Sequence, residues 1–168
     1  MRVAVTGTPG TGKTTVTEHL DTDLDVIHLN EYIKAGGLDA GIDEDRNSVV
    51  ADFDAVADFL DGRTDVLFES HLAHNVAADR VVVLRAHPET IVDRLTERGE
   101  SAASVQENAE SEALDIILSE AVERHGTANV YEIDTTDRTV EAVADDVAAA
   151  VTGEREPSAG TVSFIDYL

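Results

Sequence analysis

Cysteine is absent from this 168-residue chain, which excludes disulfide bonds and thiolate metal centres and fits a reducing compartment. Long apolar runs are absent too, since nothing approaches the ~20 residues of a bilayer-spanning helix. The opening residues, MRVAVTGTPG, enter a strand pattern directly, without the apolar stretch of a secretion signal. A cytoplasmic protein with no membrane association is expected. Lysine is nearly missing, with only Lys13 and Lys34 among 12 basic residues. Positive charge as a whole is scarce: 35 acidic residues outnumber those 12, for a formal net charge of −23.

The acid is spread over nearly every segment, so a disordered acidic arm does not account for it. Self-repulsion of this size destabilises a compact chain in dilute buffer. At molar salt the Debye length falls to about 3 Å and the repulsion is largely screened. The composition reads as adaptation to a saline cytoplasm, as in halophilic archaea; the plainer alternative is an acidic protein that meets a basic partner. Either way, naked nucleic acid is disfavoured as a partner, because its phosphates would be repelled.

Against these absences stands a hydrophobic content of 42 %, ordinary for a folded chain. The length suits one domain with a real core. Short apolar runs at 2–6, 25–29, 65–70, 80–85 and 129–133 predict five buried strands. Amphipathic segments alternate with them. One helix starts near Lys13, with Val16 and Leu20 four apart. A short one spans 30–37, capped by Asn30 and stopped by Gly36 and Gly37. A third is capped by Asp52, with Phe53, Val56, Ala57 and Leu60 on one face. A fourth begins at Pro88, carries Ile91, Val92 and Leu95, and ends at Gly99. A long helix is predicted from about Ser104 to Arg124 with Leu114, Ile117, Leu118 and Ala121 inward, and the last carries Val140, Val143, Val147 and Val151. Residues 38–48 read as a polar loop. The alternation predicts an α/β fold, a parallel sheet wrapped by helices. The tail ends in Phe164, Ile165, Tyr167 and Leu168 and is expected to dock on its own domain, a partner-binding motif being the alternative.

The chemistry is concentrated in GTPGTGKT, residues 7–14, which follows a strand and precedes a helix. Gly7-x-x-x-x-Gly12-Lys13-Thr14 has the spacing of a phosphate-binding loop. Gly7, Gly10 and Gly12 permit the backbone to curl around an anion with several N–H groups aimed inward, and the following helix adds its positive end. Lys13 would reach the outer phosphates, the Thr14 hydroxyl would coordinate Mg²⁺ bridging phosphate oxygens, and Thr15 would donate to an inner phosphate. A chance match in a chain of this length is on the order of 1 % from average residue usage. A surface otherwise stripped of lysine that keeps one here points the same way.

In an open parallel sheet, ligands bind beyond the carboxyl ends of the strands. Glu69 closes the run DVLFES at such an end, where a carboxylate can hold a Mg²⁺-bound water. His71 follows and is placed to orient a nucleophile or touch a phosphate; His74 reads as a loop residue, and His19, His87 and His125 as surface residues. Zinc on His71 and His74 lacks the further ligands it would need. Phosphoryl transfer also needs cations on the migrating group. Arg94 and Arg98, four apart, share a helix face beside the small-residue break ESAAS, which could hinge a lid. Arg85 ends a strand on the ligand side, and Arg46 is the lone cation of the acidic 38–48 segment.

Together, TGTPGTGKTT, ESHLAH, VVVLR, RLTERG and ENAESEALDIILSEA resemble the archaeal and eukaryotic adenylate kinases linked to small-ribosomal-subunit maturation, the type called adenylate kinase isoenzyme six in human nomenclature. The resemblance runs from about Arg2 to Val151. It implies a P-loop nucleoside monophosphate kinase fold over 1–152 with a five-stranded parallel sheet, a monophosphate-binding segment at about 28–51, a short lid at about 97–107, and a tail at 153–168 outside the family pattern. By position it implies ATP binding by Gly10, Gly12, Lys13, Thr14 and Thr15, with Arg98 contacting ATP from the lid. Glu69 and His71 match the family's acidic-x-His element tied to phosphate chemistry, although the best-known members have Asp where this chain has Glu. The resemblance further implies broad monophosphate kinase activity (ATP + AMP to 2 ADP, with Mg²⁺), ATPase activity, and transient association with the basic ribosomal protein uS11 during 30S maturation. Three functions are therefore carried forward: an adenylate kinase, an ATP-hydrolysing assembly factor acting on uS11 with incidental kinase activity, and a P-loop kinase for another small acceptor.

Overall fold

Alternating side-chain direction along each buried strand feeds two separate cores, and this sets the architecture. The computed structural model describes residues 1–43 and 48–168. In chain order it contains β1 (Arg2–Thr6), α1 (Lys13–Glu18), β2 (Asp25–His28), α2 (Leu29–Lys34), β3 (Asp39–Asp43), β4 (Ser48–Ala51), α3 (Phe53–Leu60), β5 (Val66–Glu69), β6 (Arg80–Arg85), α4 (Pro88–Glu97), α5 (Ala102–Ala113), α6 (Ile116–His125), β7 (Val130–Asp134) and α7 (Val140–Thr152). Five strands form one parallel sheet in the order β2-β5-β1-β6-β7. Every neighbouring pair runs parallel, and helices cover both faces, as the strand–helix alternation predicts.

On one face, Ala4, Ile27, Phe68, Val81 and Val83 meet Leu29 and Ile33 of α2, Val56 and Leu60 of α3, and Leu118 and Ala121 of α6. On the other, Val3, Val5, Leu67, Val82 and Leu84 meet Val16 of α1 and Val143, Val147 and Val151 of α7. Each fully buried Val, Leu, Ile or Phe contributes roughly 1.5–3 kcal/mol of transfer free energy. A smaller cluster of Ala86, Ile91, Leu95 and Val105 joins α4 to α5.

Four local expectations are corrected. Residues 38–48 are not all loop, because β3 and β4 pair antiparallel from Asp43 with Ser48 to Asp39 with Ala51. The sequence of β3, DAGID, is acidic, carries Gly41 and leaves Ile42 67 % exposed, so no alternating apolar signal marks that strand. Arg46, the expected cation of this segment, lies outside the described residues. Asn30 does not cap α2: the helix begins at Leu29, and the Asn30 side chain instead accepts a hydrogen bond from Ser70 at 2.8 Å. The long helix is two. Asp115 adopts φ 55°, ψ 32°, a left-handed conformation that separates α5 from α6 and leaves Leu114 exposed instead of inward. In α3 the inward face is Val56 and Leu60, with Phe53 and Ala57 exposed.

The tail packs on the edge strand β7. The Ser158 amide donates to the Val130 carbonyl at 3.1 Å, and the Thr161 and Val162 amides donate to Glu132 Oε2 at 2.7 and 3.2 Å. This covers part of the free edge that β7 would otherwise present. Among the described residues no helix is long and apolar enough to cross a membrane.

Candidate functional site

β1, at the centre of the sheet, ends at Thr6 and hands the chain to the glycine loop between β5 and β6. Only glycine fits the start of that loop. Gly7 has φ 146°, and a Cβ there would overlap the Leu84 carbonyl oxygen and lie 2.8 Å from Thr11 Oγ1. Gly10 and Gly12 take φ 94° and 91°, conformations that side-chain-bearing residues rarely adopt. The loop curls back on itself, with the Thr11 amide donating to the Thr8 carbonyl at 3.2 Å.

Lys13, the first residue of α1, is 8 % exposed and its Nζ donates to the carbonyls of Gly7 and Thr8 at 2.8 and 3.1 Å. Burial pulls its pKa from 10.5 to about 8, with Glu69 and Glu112 opposing the fall and Arg98 adding to it. A polyphosphate would restore the lost charge stabilisation. Thr14 and Thr15 follow, both exposed. The Thr14 hydroxyl donates to Glu69 Oε1 at 3.0 Å. Glu69, last residue of β5, is 2 % exposed, and the same oxygen meets His28 Nδ1 at 2.8 Å. Its other oxygen, Oε2, is buried and without a hydrogen-bond partner among the described residues. A free carboxylate oxygen beside a hydroxyl is an all-oxygen donor pair, the type that hard Mg²⁺ takes. The residues present therefore fit that ion.

Pro9, Gly10, Gly12, Lys13, Thr14, Thr15, Asn30, Glu69, His71 and Arg98 line one cleft of about 440 Å³ at this end of the sheet. His71 is driven by burial, with Lys13 adding to the effect, from 6.5 to about 4, so near neutrality it presents an uncharged imidazole. Arg98 caps α4 and is exposed at the cleft mouth. Eight residues expected at one site from the sequence, Gly10, Gly12, Lys13, Thr14, Thr15, Glu69, His71 and Arg98, thus line the same cleft.

Other expectations are redirected. Arg85 does not face the cleft. It is 1 % exposed and turned inward, with Nε 2.8 Å from Glu112, Nη1 2.5 Å from Glu132 and Nη2 2.5 Å from Asp115. Burial alone would weaken its protonation, but Glu112 and Asp115 outweigh burial and push its pKa up. The Arg94 guanidinium donates to the Gly10 carbonyl at 2.8 Å, so it holds the loop. His74 is no plain loop residue: it is 1 % exposed, with Nδ1 2.9 Å from Thr6 Oγ1 and Nε2 2.7 Å from Glu120. Sequence reasoning passed over His28 and Asn30 as contributors to the site. Both sit where β2 runs into α2, at the carboxyl end of the sheet, and that placement was the signal available.

A family model described as an AAA domain matches residues 3–115. Curated relatives described as "Putative adenylate kinase" match over the whole chain: the protein of Natronomonas pharaonis is 62 % identical over 168 residues, with both chains covered completely. The Halobacterium salinarum protein is 60 % identical, also with complete coverage of both, and that of Methanocaldococcus jannaschii is 37 % identical, covering 100 % of this chain and 97 % of its own. Among solved structures, shikimate kinase from Acinetobacter baumannii in complex with shikimate superposes with a TM-score of 0.63 at 18 % identity, covering 92 % of this chain and 94 % of its own. At that identity it shows the fold, a P-loop kinase arrangement with a five-stranded parallel sheet.

Proposed function

Because the chain belongs to the family of these archaeal adenylate kinase relatives, we propose that it is a Mg²⁺-dependent adenylate kinase, converting ATP + AMP to 2 ADP, with breadth toward other nucleoside monophosphates and a side ATPase activity. The observation that carries the reading is the convergence of Lys13, Thr14, Glu69 and His71 on one cleft at the carboxyl end of β1 and β5. A phosphate oxygen of the acceptor would attack the γ-phosphorus of ATP while the bond from that phosphorus to the β–γ bridging oxygen breaks. The γ-phosphoryl group passes to AMP, and ADP leaves. Backbone amides of Gly7, Gly10 and Gly12 and the Lys13 ammonium would stabilise charge on the outer phosphates. Thr15 would donate to an inner phosphate, and Arg98 would reach ATP from a lid at about 97–107. Thr14, and Glu69 through a water, would hold Mg²⁺, which supplies charge neutralisation across the phosphates. His71, uncharged near neutrality, would orient the acceptor delivered by a segment at about 28–51. The division into a catalytic domain over 1–152 and a tail over 153–168 belongs to the same reading, as does operation in a saline cytoplasm.

The net charge of −23 favours keeping a second reading, since such a surface suits a basic partner. In it, ATP hydrolysis drives release of ribosomal protein uS11 during 30S maturation and kinase activity is incidental. A third reading, a kinase for another small acceptor, rests on the fold alone.

Following ATP, ADP and free phosphate in molar KCl with and without AMP separates the three. The kinase reading expects AMP to yield ADP far beyond the phosphate released, and it is overturned if AMP adds no ADP beyond hydrolysis. The assembly reading is lost if uS11 neither binds nor alters the hydrolysis rate. An acceptor screen with AMP inactive and another small molecule active would select the third.

A further inference from the structure

Helices α4 and α5 pack against each other as a hairpin whose turn follows Arg98. Both helices of the hairpin contact the glycine loop. On the α4 side, Arg94 donates to the Gly10 carbonyl at 2.8 Å. Ile91 and Leu95 press on the same residue, so that a Cβ on Gly10 would stand 3.4 Å from Leu95 Cγ. On the α5 side, the Thr8 hydroxyl donates to Glu112 Oε2 at 2.6 Å, and Thr8 and Glu112 are 1 % and 2 % exposed. The other oxygen of Glu112 accepts from Arg85 Nε at 2.8 Å and from the Ala86 amide at 3.0 Å, which ties the carboxylate to the end of β6.

Thr8 is also the residue that meets the lysine. Its carbonyl accepts from Lys13 Nζ at 3.1 Å and from Thr11 Oγ1 at 2.8 Å. One residue, Thr8, therefore joins Glu112 on the hairpin to Lys13 in the cleft. The charge of Glu112 reaches Lys13 as well, being among the groups that hold its proton against burial.

We propose that Glu112 and Arg94 are positioning residues for phosphoryl transfer: they clamp the phosphate loop at Thr8 and Gly10, so that the shape of the loop and the set of the α4–α5 hairpin bearing Arg98 change together. This rests on the reading of the loop as the nucleotide site. A side chain that acts through the loop must alter ATP handling and leave acceptor affinity alone, whereas a carboxylate that merely fills a polar gap alters stability only.

Thr8→Val deletes the clamped hydroxyl at nearly constant volume, and Thr8→Ser keeps it. Mg-ATP affinity by calorimetry and steady-state kinetics in molar KCl are read for both beside the wild type, with melting temperature as a control. Thr8→Val is expected to weaken Mg-ATP binding and to lower kcat/KM for ATP on the order of ten- to a hundredfold, the scale of a small misplacement of reacting groups. The KM for AMP is expected to hold, and Thr8→Ser to recover most of the loss. Hydrogen exchange supplies a readout apart from activity: a non-hydrolysable ATP analogue should slow exchange over 98–113 in the wild type and Thr8→Ser, but not in Thr8→Val. Arg94→Gln, read in parallel, should shift the same quantities in the same direction, and it carries the test if Thr8→Val does not fold. The clamp is overturned if the wild type binds Mg-ATP and Thr8→Val or Arg94→Gln binds and turns over as well as it does, or if Thr8→Ser falls with Thr8→Val. Failure of the wild type to bind Mg-ATP is a different result, which overturns the nucleotide reading itself.

Discussion

Lys13 carries the largest single-residue effect expected on phosphoryl transfer. It is one of two lysines in a chain of −23 net charge, and it is buried with its ammonium folded onto loop carbonyls. Lys13→Ala is expected to lower kcat by about 10²–10³-fold, near 3–4 kcal/mol of transition-state stabilisation. The melting temperature in molar salt should not fall, because a buried charge is removed along with its desolvation cost. Near-normal turnover would refute its role. His74 yields a different prediction. Burial lowers its pKa below 6.5, with Glu120 opposing, so the folded protein resists a proton that the unfolded chain accepts. Its neutral form contributes fully above the unfolded value of 6.5, and that contribution is lost as pH falls from there toward the lowered folded value. The urea midpoint of the wild type should therefore drop more on mild acidification than that of His74→Gln. Equal drops would contradict this. Lys13, Thr14 and Glu69 were legible because motif spacing and strand ends are local. The inward turn of Arg85 was not, because its three carboxylates come from α5, the break after α5, and β7, far apart in sequence.

Elements were legible in proportion to how strongly burial imposes a period on them. β1, β5, β6 and β7, buried on both faces, announce themselves as apolar runs, and α7 as a valine stripe. In β3 and β4, Ile42 and Val50 are 67 % and 43 % exposed, so these strands lack the continuous buried apolar run that marks the central sheet. The break between α5 and α6 rests on one left-handed Asp115, whose carboxylate is held by Arg85 at 2.5 Å, and no proline or glycine marks it. The tail is legible only as an apolar end, yet its amides satisfy a carboxylate, Glu132, that is 1 % exposed. Phe164 also lies over the Arg85 guanidinium at 5.4 Å. A chain ending at Gly153 would leave Glu132 Oε2 without these donors. An unsatisfied buried acceptor costs about 1–3 kcal/mol, more for a charged one. The truncated protein should unfold at lower urea in molar KCl, with secondary structure otherwise retained. An unchanged midpoint would mean that the tail contacts contribute nothing.

For the molecule as a whole, charge decides the conditions under which the fold can be observed. The acidic excess is spread over the surface, so repulsion opposes compaction until salt screens it. The melting temperature should rise steeply from dilute buffer to molar KCl, and an uncharged osmolyte at equal osmolality should reproduce only part of the gain. A flat response would show that repulsion is not what the composition answers. Fold and catalytic end were both accessible from strand–helix alternation plus one glycine loop, whereas the clamps between hairpin and loop required tertiary structure, since Thr8 and Glu112 lie 104 residues apart.

The central claim is that this cleft moves a phosphoryl group between nucleotides. ATP labelled in its γ-phosphate, mixed with AMP, Mg²⁺ and the protein in molar KCl, tests it most directly. Label is expected in the β-phosphate of ADP formed from AMP, with little in free phosphate and transfer by Lys13→Ala slower by about 10²–10³-fold. Label found only in free phosphate, whether or not AMP is present, would contradict it.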